Sequence, residues 1–215
     1  MKKVAIVGSS GKMGKMLVSE LMENFEVVGI DKNDSMSLAK NVDIVIDFST
    51  AKNSIITAKW CEKNGKSLIV GATGHSEKEL KIIMSVSEKI PVMIAGNFSL
   101  GILRLKSIIK NMKLENLESV TIFEKHHKEK KDKPSGTALE LKKFINAVCD
   151  CPVEILSLRG GKEIGLHEVY LYFDEEVMVL SHQAFSRQVF ARGVERAALY
   201  MLSQSKCGIY KFDEI

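Results

Sequence analysis

Proline is scarce in this chain, three in 215 residues, and no Pro/Ser-rich stretch, low-complexity segment or internal repeat interrupts it. That excludes a string of modules on flexible linkers. The four cysteines, Cys61, Cys149, Cys151 and Cys207, form no C-x-x-C pair, and Cys149-Asp150-Cys151 has neither structural-zinc spacing nor a close histidine. Reduced thiols and no metal site are therefore expected. Charge of one sign is not in excess: the net charge is +4, and the lysines are scattered apart from one run at 125–133. Without a basic stripe interleaved with aromatics, nucleic-acid binding is not expected. No apolar run approaches the length of a membrane span, and Lys2-Lys3-Val4-Ala5-Ile6-Val7-Gly8 enters a strand pattern without an apolar leader. A soluble, cytoplasmic protein with no membrane partner is the expectation.

What is present is ample apolar material, 45% of residues, with 27% charged. A chain of this length holds one large domain or two small ones. Short apolar runs at Val4–Val7, Val27–Ile30, Ile44–Ile46, Leu68–Val70 and Val92–Ala95 predict buried parallel strands. Helical spacing between them (Met13, Leu17, Leu21; Ile55 with Ala58–Cys61; Leu80, Ile83, Met84) predicts a doubly wound, Rossmann-like α/β domain. Only about eleven residues separate Asp31 from Asp43, so one crossover must be abbreviated.

After Phe98 the pattern changes. A helix over about 99–112, a long alternating strand at Leu117–His126, a helix from Ser135 to about Val148 and strands at Val153–Leu158, Glu168–Phe173 and Val177–Ser181 predict a C-terminal α+β domain with an open mixed sheet. A closing helix carries Phe190, Val194, Ala197, Ala198 and Met201 on one stripe. The expected division is a dinucleotide-binding domain at 1–98, joined by the C-terminal helix over about 188–215, and a second domain at 99–187.

Gly8-Ser9-Ser10-Gly11-Lys12-Met13-Gly14 follows the first strand and opens the first helix, where a dinucleotide pyrophosphate binds backbone N–H groups and the helix dipole. Asp31 ends the second strand roughly twenty residues on, placed for ribose hydroxyls. Asp31 disfavours a 2′-phosphate while Lys32 beside it can neutralise one, so both NADH and NADPH are plausible cofactors. Phe48, the Gly71-Ala72-Thr73 turn and the Ala95-Gly96-Asn97-Phe98 segment fall at later strand ends, where such a sheet presents its crevice. Taken singly, Phe48 also fits plain core.

Glu124 to Ala138, E-K-H-H-K-E-K-K-D-K-P-S-G-T-A, concentrates two histidines, a lysine cluster and a helix start. Imidazoles near neutral pKa move protons, ammonium groups hold anions, and Ser135 as N-cap leaves the Gly136 and Thr137 N–H groups for a carboxylate. Strand alternation sends His126 and His127 to opposite faces unless the strand ends there, one to a site and one in support. Lys130 beside a histidine can deliver a proton as hydride arrives at C=N or C=C. A solvated basic turn and an ordinary helix cap are the competing readings. The segments S-L-R-G-G at 157–161, G-L-H-E-V at 165–169 and H-Q-A-F-S-R at 182–187 fall at strand ends, where arginines such as Arg159 and Arg187 and glycines suit carboxylate binding, and each equally suits a turn.

Together these motifs resemble those of the 4-hydroxy-tetrahydrodipicolinate reductase (dihydrodipicolinate reductase) family over nearly the whole chain: G-x-x-G-x-M-G at 8–14, D-F-S at 47–49, G-A-T-G at 71–74, N-F-S-x-G at 97–101, E-x-H-H-x-x-K-x-D-x-P-S-G-T-A at 124–138 and S-x-R-x-G-x-x-x-G-x-H-x-V at 157–169. The resemblance implies NAD(P)H-dependent reduction of a small cyclic dicarboxylate in diaminopimelate and lysine biosynthesis. It implies His126 as proton donor/acceptor, Lys130 as proton donor, and His127, Ser135, Gly136 and Thr137 as substrate contacts. It also implies a substrate-binding and oligomerisation domain and a homotetramer. Two departures stand out. Lys133 replaces the family's usual alanine before Pro134, and the short 31–43 interval in a chain below the common family length removes part of the adenosine-side wall. A different Rossmann reductase is the alternative enzyme, and an NAD(H)-sensing protein the alternative without chemistry; the latter should lack the proton-transfer groups.

Overall fold

Aliphatic runs bounded by glycine and polar turns make the first sheet. In the computed structural model, which describes residues 1–215, the strands are β1 (Lys2–Val7), β2 (Phe25–Ile30), β3 (Ile44–Asp47), β4 (Ser67–Val70) and β5 (Pro91–Ile94). Val4 to Val7, Ile44 to Ile46 and Leu68 to Val70 are all buried, the signature of strands covered on both faces. Helix α1 (Lys12–Leu21) follows β1 and buries Leu17 and Leu21. Helix α2 (Ala51–Asn64) starts at Thr50, whose side chain accepts from the Asn53 N–H, and stops at Gly65 in the left-handed region, φ 62°. Helix α3 (Glu77–Ser85) opens on a Ser76/Glu79 capping box. Between β2 and β3 the crossover is a short 3-10 helix, Met36–Asn41, capped by Ser35. This is the predicted abbreviation.

The second sheet follows α4 (Leu100–Lys110). It comprises β6 (Leu117–His126), β7 (Val153–Arg159), β8 (Gly165–Phe173) and β9 (Glu176–Ala184), with α5 (Gly136–Ile145) between β6 and β7. The order is β7-β6-β8-β9; β6 and β7 run parallel, the other pairs antiparallel. Alternation divides the faces. Val120, Ile122, Val169 and Leu171 pack on Ile102, Leu105 and Ile109 of α4 and on Ala138, Leu141 and Ile145 of α5. The opposite face carries Phe123 and Tyr170 with the exposed Leu156, Leu158, Tyr172, Val177 and Val179, and no element of this unit covers it.

Helix α6 (Gln188–Leu202) then buries Val194, Ala197, Ala198 and Met201, and β10 (Gly208–Tyr210) pairs parallel with β5. The first sheet is thereby six-stranded and wholly parallel, β10-β5-β4-β3-β1-β2. The helix expected over about 188–215 ends at Leu202. Polar Ser203–Lys206 cannot continue its apolar stripe, and a strand and a 3-10 turn, Phe212–Glu214, follow instead. By contacts the chain forms two units, Met1–Phe98 with Phe190–Ile215, and Ser99–Val189. No helix is long and apolar enough to cross a membrane.

Candidate active site

In the first unit the strand order 2-1-3-4-5 reverses direction at β1, so the crevice lies outside the carboxyl ends of β1 and β3. Gly8 sits there with φ +86°, and a Cβ on it would lie 2.9 Å from the Phe48 carbonyl oxygen. A Cβ on Gly14 would lie 2.0 Å from the Gly8 carbonyl oxygen, and one on Gly71 2.1 Å from the Phe48 ring. Only glycine allows these backbones to nest. Helix α1 has Gly11 as N-cap, no capping side chain and no acidic residue in its first turn. The helices α2 to α5, by contrast, all carry a Ser or Thr cap. The α1 N-terminus therefore keeps its N–H donors and dipole for an outside anion, so the turn fits a dinucleotide pyrophosphate.

Asp31 sits just after β2. Its carboxylate accepts from the Ser10 N–H (3.0 Å), the Ser10 hydroxyl (2.8 Å) and the Ser9 hydroxyl (2.7 Å). The Ser10 N–H foremost, then the Ser9 hydroxyl, hold its pKa below the ordinary value. A surface pocket of about 340 Å³ adjoins it, lined by Ser9, Ser10, Lys15, Val18, Val27, Gly29 and Asp31. Lys32 is exposed. Because the sheet is parallel, Phe48, Gly71, Ala72, Thr73, Ala95, Gly96 and Asn97 share this edge. Two of the candidates there have little side chain to offer. Phe98 is 2% exposed, its ring 5.7 Å from Phe48 and 5.1 Å from Phe212, and Ala72 is buried. Asp47, which the sequence marks only as part of D-F-S, is fully buried and holds the 47–49 turn through the Ser49 N–H (2.8 Å) and hydroxyl (2.5 Å). Burial raises its pKa.

In the second unit the face of β6 that begins as Val120 and Ile122 continues as Glu124 and His126, both buried. The Glu124 carboxylate receives Arg159 in bidentate fashion (2.8 Å to each oxygen), the Ser135 N–H (3.2 Å) and the His126 Nδ1 (2.5 Å). Burial is the largest single influence and works against its charge, but Arg159, Ser157 and His126 together outweigh it and hold Glu124 at about 2. For His126 burial prevails and lowers its pKa, opposed by Glu124. His167, opposite Glu124 on β8, lies with its ring 5.1 Å from that of His126, and its Nε2 is 3.3 Å from the Ser135 hydroxyl. Burial first, then the neighbouring His126 and His182, pushes it down to about 3, so it is neutral. His182 on β9 sits beside His167 and pairs through Nε2 with the Ser99 hydroxyl at 3.2 Å.

β6 ends at His126, and His127 begins the loop, its N–H donating to the Glu163 carbonyl. The Lys130 ammonium lies 2.8 Å from Asp132. Gly136 and Thr137 form the first turn of α5. Ser135 is buried and already committed: its hydroxyl accepts from the Ala138 N–H and meets His167. Its expected direct part in substrate binding is therefore better described as building the helix start.

Arg159, which by sequence suits an outside carboxylate, spends its fork on Glu124 and on the Asp132 and Leu158 carbonyls. Glu124, His167 and His182 gain their roles only from the fold. A signal for them exists in the chain: apolar alternation on β6 and β8 turns polar at the same sheet end.

Comparison with known proteins is consistent across the chain. Residues 2–98 match the family model described as dihydrodipicolinate reductase, N-terminus, and residues 102–215 that described as its C-terminus. A 4-hydroxy-tetrahydrodipicolinate reductase of Thermosipho africanus is 37% identical over 216 residues, 99% of this chain and 97% of that protein, so the short length is shared. One of Caldanaerobacter subterraneus is 36% identical over 248 residues, 100% and 98% of the two chains. The solved dipicolinate-bound dihydrodipicolinate reductase of Paenisporosarcina sp. shares the fold, with a TM-score of 0.80 at 21% identity, covering 100% of this chain and 99% of that one. With both halves matched and relatives above 30% identity spanning nearly the full length, the chain belongs to the dihydrodipicolinate reductase family.

Proposed function

We propose that this chain reduces 4-hydroxy-tetrahydrodipicolinate to tetrahydrodipicolinate in diaminopimelate and lysine biosynthesis, consuming NAD(P)H and one proton and releasing NAD(P)⁺ and water. The observation that carries this reading is the second unit's cluster: His126 buried on Glu124, Lys130 close enough to act on His126 electrostatically, and the first turn of α5 beside them in the chain. These are the groups that protonation and carboxylate binding require.

A nicotinamide cofactor, when bound, would supply the hydride. Lys130, with His126, supplies the proton, and Lys130 must leave Asp132 to do so. His127 and the Gly136 and Thr137 N–H groups orient the carboxylates. The Gly8–Gly14 turn grips the pyrophosphate, Asp31 the ribose, and the backbone of Phe98, rather than its buried ring, completes the cofactor edge with Phe48, the 71–73 turn and 95–97. We further assign residues 1–98, with the C-terminal segment, to the cofactor, and residues 99–187 to substrate and oligomerisation. A cytoplasmic homotetramer is the expected form, and the uncovered apolar face of the second sheet is the surface it would bury.

The test is oxidation of NADH and NADPH on substrate generated in place by condensing pyruvate with aspartate semialdehyde. Turnover is expected with the wild type, and Lys130→Ala should lower kcat by roughly a hundredfold or more. Binding of NADH without turnover would instead identify a sensor, and near-normal turnover in the variant would remove Lys130 from its role.

A further inference from the structure

The buried carboxylate of Glu124 does more than balance a charge. Three residues donate to it: Arg159 of β7, to both oxygens, the Ser135 N–H at the start of α5 and His126 on its own strand; Arg159 Nη2 also donates to the Asp132 carbonyl (2.5 Å), which ties in the loop that carries Lys130. We propose that Glu124, clamped by Arg159, is a positioning residue that fixes His126 with Nδ1–H donated to the carboxylate and Nε2 as the working nitrogen. The inference rests on the reductase reading and adds to it which atom of His126 exchanges the proton and what sets that atom.

Three features support it. Glu124 has 0% side-chain exposure and Arg159 12%, so the ion pair is shielded from solvent and its bidentate geometry leaves the carboxylate one orientation. An ionised carboxylate is acceptor only, so the nitrogen 2.5 Å from it must carry hydrogen, as in other carboxylate-oriented imidazoles. At the far side of the ring, Gly165 keeps Nε2 uncovered, because a Cβ there would lie 3.0 Å from it. The charged and titratable groups that face His126 are Glu124 of β6, Lys130 of the loop, Arg159 of β7 and His167 of β8. Of these only Glu124 favours the imidazolium.

The experiment combines ¹⁵N NMR of the histidine rings in the full-length wild type and Glu124→Gln with steady-state kinetics. Near neutral pH the wild-type His126 should show protonated Nδ1 and bare Nε2. In Glu124→Gln its titration should move to lower pH, with kcat down roughly 10- to 100-fold and the KM for NADH changed by less than about twofold. In a His126→Ala background, Glu124→Gln should cost nothing further in kcat, which a merely structural role would not produce. A wild-type His126 protonated on Nε2, an unchanged kcat in Glu124→Gln, or an additive loss in the double variant would each overturn the proposal. Should Glu124→Gln fail to fold, the wild-type tautomer decides alone. If the wild type showed no reductase turnover, the function reading would fall while the tautomer still judged Glu124.

Discussion

The turn from Gly8 to Gly14 is made of backbone: glycines nest against the Phe48 carbonyl and against one another, and α1 starts without a cap. The cluster around Glu124 is made of side chains, drawn from β6, β7, β8 and the start of α5 and largely buried. A backbone site is exact in shape and indifferent to pH, since amide donors do not titrate. A side-chain site of this kind can move protons, and it stakes stability on buried charge. The two units therefore should fail differently.

The largest effect is expected from adding one methyl group to the backbone site. In Gly14→Ala the new Cβ would meet the Gly8 carbonyl oxygen at 2.0 Å, and both partners are main chain with no flexible tip to yield. The KM for NADH should rise by roughly a hundredfold, and overpacking of this kind costs on the order of 1–3 kcal/mol of stability. Stopped activity with the His126 ring signals retained would show that the two sites break separately. Wild-type cofactor binding in this variant would show that the turn has slack to absorb the added carbon.

The same contrast explains what the sequence makes legible. The glycine turn is local: strand, glycines and helix lie within residues 2–21, so its form is readable from the order of residues alone. The 124–138 segment is equally readable as far as the strand end at His126 and the start of α5 at Gly136. Glu124, Arg159 and His167 are not, because their meeting depends on register: His167 stands opposite Glu124, and Arg159 beside His126, only once β8 and β7 have paired with β6. Parallel pairing through α5 also cannot be told from a hairpin by alternation alone. The strand β10 escapes a sequence reading for a related reason, since three residues pairing with a strand more than a hundred positions earlier carry no local pattern.

An intermediate effect should distinguish the units by pH. His167 is held neutral at about 3 by burial, well below the ordinary imidazole value. Between pH 6.5 and 3 the unfolded chain binds the proton and the folded chain does not, so stability falls as pH drops through that window. Glu124, depressed to about 2, adds a loss of the same sign as pH falls from about 4.5 towards 2. Urea midpoints for the second unit should therefore decline from about pH 7 to about pH 5, and His167→Gln should flatten that slope. An equal slope in the variant would assign the loss to other groups.

The smallest effect belongs to the exposed edge of the backbone site, where one side chain does matter. Asp31 is ionised and oriented by Ser9 and Ser10, and a 2′-phosphate would approach that carboxylate with Lys32 alongside. In water two unit charges about 4 Å apart interact by only about 1 kcal/mol, and the lysine offsets part of that. NADH should therefore be favoured over NADPH in kcat/KM by no more than about fivefold to tenfold. Asp31→Asn should shift the ratio towards NADPH by a similar factor while leaving kcat with NADH nearly unchanged, because the change touches cofactor binding and not the proton groups of the second unit. A wild-type preference for NADPH of roughly a hundredfold would mean that the carboxylate is not where the ribose binds.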